Sequence, residues 1–316
     1  MKPSKIVLIG CGAVGSTFAY TVLLRGLAHE LILIDQNRNK AEGDALDLNH
    51  GLMLATPMRI AVGDYPDCAG ADIIVITAGA AQRQGETRID LMNRNVAIFD
   101  AIIKQVVQYN QSGILLIATN PVDILTQVAL KLSGWPRHRV IGSGTLLDSS
   151  RFRYLVAEQL KVDPRSVHGL IIGEHGDSEV PVWSSLNLAG VDLKECHENP
   201  RWCVDDLDKD RIYDETRTAA YKIIERKGAT YYAIALALAR ICEAILKDQH
   251  SILPVSVHLE GYHGISGVCV GVPSVVGRKG VEEVIEMPLD ETEAALLRKS
   301  AAKLKAFLAD IGFAQE

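Results

Sequence analysis

At 316 residues the chain is long enough for about two domains, and 48% hydrophobic content supplies sizeable cores. A formal charge of −6 and a pI near 5.9 exclude the basic footprint that nucleic acid requires. Cys11, Cys68, Cys196, Cys203, Cys242 and Cys269 form neither a C-x-x-C pair nor a ligand cluster, so a reduced, cytoplasmic protein without a metal site is expected.

Met1-Lys2-Pro3-Ser4 leads directly into the first predicted strand, which leaves no room for a signal peptide, and no apolar run reaches bilayer length. Residues 6–9 are a β-branched, apolar run that reads as a buried strand. Gly10-Cys11-Gly12-Ala13-Val14-Gly15 follows at once, then a helical pattern to Arg25 and a second strand over 31–34 that ends in Asp35. In this frame Gly10 permits the turn, Gly12 lets a pyrophosphate approach the backbone, and Gly15 lets helix and strand pack closely. The helix N-terminus attracts the phosphates. Asp35 can accept hydrogen bonds from a ribose diol and would repel a 2′-phosphate, so the pattern predicts NAD rather than NADP.

Strand patterns recur at 58–62, 72–76, 114–118 and 139–141, separated by helical stretches, which requires a parallel sheet with its ligands beyond the carboxyl ends of the strands. Those ends are Thr77-Ala78-Gly79-Ala80, Thr119-Asn120-Pro121 and Gly142-Ser143-Gly144. Residues 81–88 are polar, with glycine and two arginines. They suit a lid over an anionic ligand, or equally a solvated surface loop. Asn120-Pro121 could be simply the turn that starts the next helix, with the asparagine as its cap.

The second half changes character. A helix is predicted from Thr145 to about residue 160, with Asp148 and Arg151 on one face and Arg153 roughly 200° away from Arg151. Residues 167–172 read as one strand running into Gly173-Glu174-His175-Gly176-Asp177, where a histidine at a strand end is either free to titrate in a cleft or an ordinary turn residue. A long helix is predicted over 205–227, an interruption at Gly228-Ala229-Thr230, and an apolar helix to about 247. Strands near 251–258 and 268–276 precede a charged helix over 291–309 whose glutamates and lysines read as a solvated face. Trp135, Trp183 and Trp202 read as packing residues. The expected architecture is α/β: a doubly wound, Rossmann-type nucleotide-binding domain over 1–144, then an α+β substrate domain over 145–316.

Gly173-Glu174-His175-Gly176-Asp177, taken with Gly79-Ala80-Ala81-Gln82, Gly85-Glu86-Thr87-Arg88, Thr119-Asn120-Pro121-Val122-Asp123 and residues 147–153, closely resembles bacterial L-lactate dehydrogenases. The resemblance runs from the Gly10 motif into the last helix. It implies His175 as proton donor and acceptor, Asp148 as the carboxylate orienting it, Arg151 as the holder of the substrate carboxylate, and Arg88 as the lid arginine that polarises the carbonyl. Gly79, Ala80, Asn120, Ser143 and Ile234 join the NAD site, with Asn120 also near the substrate. The substrates implied are pyruvate and L-lactate. Gln82 and Thr230 match the lactate pattern. Malate dehydrogenases, the alternative, carry an arginine at the Gln82 position and a small residue at that of Thr230. Arg83, and Gln84 in place of the usual proline, depart from the pattern. Arg153 and His168 match residues with which allosteric relatives bind fructose 1,6-bisphosphate across a subunit interface, which implies a homotetramer. An NAD-dependent glycosidase would need a metal cluster, and a non-catalytic descendant would have lost a site residue; neither fits this chain.

Overall fold

The computed structural model describes residues 3–80, 88–193 and 207–313. Gln82, Arg83, Gln84, Cys196, Trp202 and Cys203 lie outside these, as does the side chain of Arg88.

The first half alternates strand and helix: β1 Lys5–Ile9, α1 Ala13–Arg25, β2 Glu30–Ile34, α2 Arg38–His50, β3 Arg59–Val62, β4 Ile73–Ile76, α3 Arg88–Tyr109, β5 Ile114–Ile117, α4 Val122–Ser133 and β6 Val140–Gly142. These strands pair in parallel in the order β3-β2-β1-β4-β5-β6. The reason is visible in their composition. β4 and β5 are unbroken isoleucine, valine and leucine runs, every residue buried, as a sheet covered on both faces demands.

The second half comprises α5 Leu146–Leu160, β7 Val167–His168, β8 Ile171–Gly173, β9 Glu179–Pro181, β10 Asn187–Leu188, β11 Val191–Asp192, α6 Lys209–Lys227, α7 Tyr232–Leu246, β12 Ser251–Tyr262, β13 Ile265–Gly277, β14 Gly280–Val284 and α8 Glu291–Asp310. β12 adds antiparallel to β6 through Ser256 and Gly142, and the sheet continues through β13, β8 and β9, with β14 also on β13. Parallel and antiparallel halves thus share one hydrophobic core, while a smaller core forms around Phe152, Val156, Val167 and Leu186.

Four expectations are revised. The single strand over 167–172 is two strands in different sheets: β7 pairs with β10, and β8 with β9 and β13. The break lies at Gly169, where a Cβ would come within 2.7 Å of both Leu186 and Phe152, so the chain must step aside to let the smaller core close. The helix expected from 205 begins at Lys209, because the Asp208 carboxylate accepts the Arg211 amide as its cap. The strands expected at 251–258 and 268–276 lengthen into one hairpin whose turn, His263-Gly264, has positive φ at both residues. The face of α8 is not wholly solvated: Glu293 is buried, completes a capping box with Asp290, and accepts the amide and hydroxyl of Ser184 at 2.8 and 2.5 Å.

Candidate active site

Two clusters form beside the carboxyl ends of the strands, and they are built differently. The first is made of main chain. Gly10 has a φ of +103° and a Cβ there would lie 2.5 Å from the Ala78 amide nitrogen, while a Cβ at Gly15 would fall inside the Gly10 carbonyl oxygen. Glycine at these two positions lets α1 pack directly on β1. Asp35 fastens the loop: one carboxylate oxygen accepts the Cys11 amide at 2.6 Å and the other the Asn37 amide at 2.8 Å.

The space in front of Gly12 is open, α1 carries no side-chain cap, and its first turn holds no acidic residue. The N–H groups of that turn and the positive end of the helix therefore remain for an anion at Gly12, Ala13 and Val14. With the Asp35 carboxylate at the next strand end, this cradle fits a pyrophosphate followed by a ribose diol. Gly79 packs on Thr119, the Ala80 amide donates to Asn95 at 2.8 Å, and buried Ser143 donates its amide to Ile117. Asn120 is exposed, and it is Pro121, without a side-chain bond, that stands at the N-cap of α4; the asparagine does not cap that helix.

The second cluster is made of charge. Asp148 and Arg151, one helical turn apart on α5, pair at 2.9 Å, and the other Asp148 oxygen meets His175 Nδ1 at 2.5 Å. Nε2 is the ring nitrogen left to face a reactant. The His175 amide donates to Asp123 at 2.8 Å, and Asp123 also accepts the Ser256 hydroxyl at 2.6 Å.

The electrostatics follow from burial and partners. Burial alone would lower the His175 pKa, but Asp148, with smaller help from Asp123 and Glu179, raises it to about 9. Burial likewise works against ionised Asp148, yet His175 and Arg151 hold its carboxyl below the ordinary value. Burial pushes Asp123 up to about 6 against the hydrogen bonds it accepts. The cluster is therefore a carboxylate and an imidazolium near neutral pH, with a guanidinium beside them. It can hold an anion and deliver a proton.

Thr230 and Ile234 line a groove of about 940 Å³ together with Arg151. Arg153 lies elsewhere: its Nε donates to the Val167 carbonyl, next to exposed His168. Gln82 and the Arg88 side chain lie outside the described residues. Among the described residues, Asp248, His250 and Glu282 are the one His/carboxylate group close enough to share an ion. They are exposed, and Arg278 lies 3.8 Å from Asp248.

Sequence reasoning missed several supports. Buried Asn95 accepts the Ala80 amide and donates to the Asn120 carbonyl at 3.3 Å, so one α3 side chain joins the ends of β4 and β5. Asp123 holds the main chain of His175. Glu174 is fixed by α8, its amide donating to Ser300 at 2.8 Å and its carboxylate pairing with Lys303 at 2.7 Å. The available signal was a polar residue within an apolar helical pattern, which Asn95 and Asp123 both present.

No helix among the described residues is long and apolar enough to cross a membrane. Residues 4–142 match the profile of the lactate/malate dehydrogenase NAD-binding domain, and residues 145–313 that of its alpha/beta C-terminal domain. The chain is 53% identical to an L-lactate dehydrogenase of Acetivibrio thermocellus, over 95% of each chain. It is 52% identical to L-lactate dehydrogenase 1 of Clostridium acetobutylicum, over 98% of this chain and 99% of that one. A crystal structure of a lactate dehydrogenase from a Medee basin deep-sea metagenome library superposes with a TM-score of 0.95 at 43% identity, covering 99% of this chain and 100% of the other. The backbone cradle at Gly12, the two profiles and the near-complete coverage lead to one conclusion: the chain belongs to the lactate/malate dehydrogenase family, NAD-dependent oxidoreductases, and its cofactor is NAD.

Proposed function

We propose that the chain is an L-lactate dehydrogenase that reduces pyruvate to L-lactate and runs the reverse reaction. The observation that carries this reading is the unbroken line Arg151–Asp148–His175, at 2.9 and 2.5 Å. Bound NADH supplies the hydride and NAD accepts it back. His175, charged below about pH 9, gives its Nε2 proton to the substrate oxygen and recovers it in the reverse direction. Asp148 fixes the ring through Nδ1 and stabilises its charged form. Arg151 pairs with Asp148 through one nitrogen, and its planar fork has further N–H groups for the substrate carboxylate. With cofactor and substrate bound, Arg88 would polarise the carbonyl, Asn120 would bond near the nicotinamide and substrate, and Ile234 would pack against the ring.

Neutral Gln82, with Thr230 in the groove, favours a methyl group over the second carboxylate of oxaloacetate. The nucleotide domain spans 1–144 and the substrate domain 145–316, a division that fits the change from parallel to antiparallel pairing after β6. Among the described residues the four cysteines are buried and free of disulfides, which suits a cytoplasmic enzyme.

The enzyme works as a homotetramer activated by fructose 1,6-bisphosphate on Arg153 and His168. The hydrogen bond from half-buried Arg153 to the residue preceding exposed His168 supports this, since it brings the two side chains to one place away from Arg151. The deciding experiment is steady-state NADH oxidation with pyruvate and oxaloacetate side by side, with and without fructose 1,6-bisphosphate. At least a roughly tenfold higher kcat/KM for pyruvate is expected, equivalent to about 1.4 kcal/mol of selectivity. The opposite ratio makes it a malate dehydrogenase, and no NADH consumption with either removes both readings.

A further inference from the structure

Glu179 opens β9, opposite Gly173 at the end of the strand that delivers His175. It is 4% exposed, and its Oε1 has no hydrogen-bond partner. The hydroxyl of Tyr213 on α6 donates to the Glu179 backbone carbonyl at 2.9 Å, which closes the strand from the far side without serving the carboxyl. The charged groups that face this side chain are Asp148 and Arg151 on α5, His175 on the loop after β8, and Arg217 on α6, which is already paired with Asp214 at 2.9 Å.

A second buried carboxylate needs donors or a dedicated cation. Asp148 has both in Arg151 and His175, and Asp123 has two donors. Glu179 Oε1 has neither. Burial, with Asp148 adding to it, pushes the Glu179 pKa up to about 8 against the pull of His175, Arg151 and Arg217.

We propose that Glu179 is a positioning residue kept as the neutral acid in the resting site, so that its loss of a proton weakens the binding of an anionic substrate on Arg151. This rests on the reading of Arg151 as the substrate's carboxylate holder. A charged Glu179 competes for the same cation and opposes the incoming anion, while the neutral acid leaves Asp148 as the carboxylate that answers both Arg151 and His175. The ionisation of Glu179 also strengthens the imidazolium of His175, so the two steps of the reaction respond to it in opposite senses: binding weakens while the proton is held more tightly.

The test compares the parent with Glu179→Gln by infrared titration and by pyruvate KM against pH. In the parent a protonated-carboxyl C=O band persists at pH 7, fades above pH 8, and is missing from Glu179→Gln. The parent KM starts to rise near pH 8, toward the roughly tenfold per pH unit of one linked ionisation, and in the variant that rise is displaced to the His175 titration near 9. Should Glu179→Gln not fold, Glu179→Met, apolar and of similar length, serves for both measurements. Identical bands at pH 7, or superimposable KM curves, overturn the proposal. If neither protein reduces pyruvate, the functional reading fails while the infrared band still decides the state of Glu179.

Discussion

The nucleotide cradle and the acid–base cluster lie on one sheet yet obey different physics. The cradle is main chain: glycines that admit no Cβ, a bare helix end, and an aspartate whose oxygens are tied to the amides of Cys11 and Asn37. Its weakness is steric, because one methyl group in the wrong place has nowhere to go. The cluster is side chain: three carboxyls, an imidazole and a guanidinium with burial on every side. Its weakness is charge, because removing one partner leaves another without compensation. Binding of the cofactor should therefore be nearly indifferent to pH across the neutral range, and the chemistry should not.

The sharpest break between the two regions is His175→Asn. It should lower kcat by roughly 10²-fold or more, the range for lost general acid catalysis, while leaving NADH affinity nearly intact. Stopped-flow NADH binding beside steady-state turnover checks both halves, and a variant that keeps most of its turnover removes His175 from the mechanism. Gly15→Ala is the mirror experiment. Its Cβ collides with the Gly10 carbonyl, an overpacking cost of about 1–3 kcal/mol, so NADH affinity should fall by roughly tenfold and the melting temperature with it. Wild-type NADH affinity in that variant would show the cradle to be more yielding than its geometry says.

Asp148→Asn should reduce turnover less than His175→Asn and move its pH dependence. In the parent, kcat/KM for pyruvate should fall as pH rises, first as Glu179 loses its proton near 8 and again as His175 loses its own near 9, and lactate oxidation should rise over the second interval. Without the carboxylate the fall begins at lower pH. The sign for stability is the same. The raised His175 pKa contributes stability that is whole below its ordinary 6.5 and lost as pH rises through about 9, so melting curves of parent and variant should converge at the alkaline end. Arg153→Gln is the mildest change, since it touches neither region: the pyruvate KM measured with fructose 1,6-bisphosphate should return to its effector-free value. An effector response that survives this substitution places the effector elsewhere.

The legible parts of the fold were the local ones. β1, the glycine turn, α1 and β2 are contiguous, so strand pattern, turn and helix can be read together. The shared face of Asp148 and Arg151 needed only helical geometry, and their ion pair bears it out. Partners far apart in the chain were not legible. Nothing near Asp123 announces Ser256 or the His175 amide, and nothing near Glu293 announces Ser184. The division of residues 167–172 between two sheets was hidden for the same reason, since what forces it is Phe152 and Leu186 against Gly169. Charged residues misled wherever burial outweighed polarity, which is how Glu293 and Glu179 escaped notice. The family motifs brought His175 and Asp148 together on paper before any packing argument could have.

The grip of α8 on Glu174 has a consequence in time. His175 stands one residue beyond an anchor, Glu174, whose two holders, Ser300 and Lys303, belong to α8. During synthesis the cradle around Gly12 can form as soon as the first few strands have emerged. The loop that carries His175, by contrast, stays without its anchor until α8, 126 residues beyond Glu174 at the Ser300 contact, has emerged as well. A nascent chain thus becomes able to hold its cofactor well before it can use it.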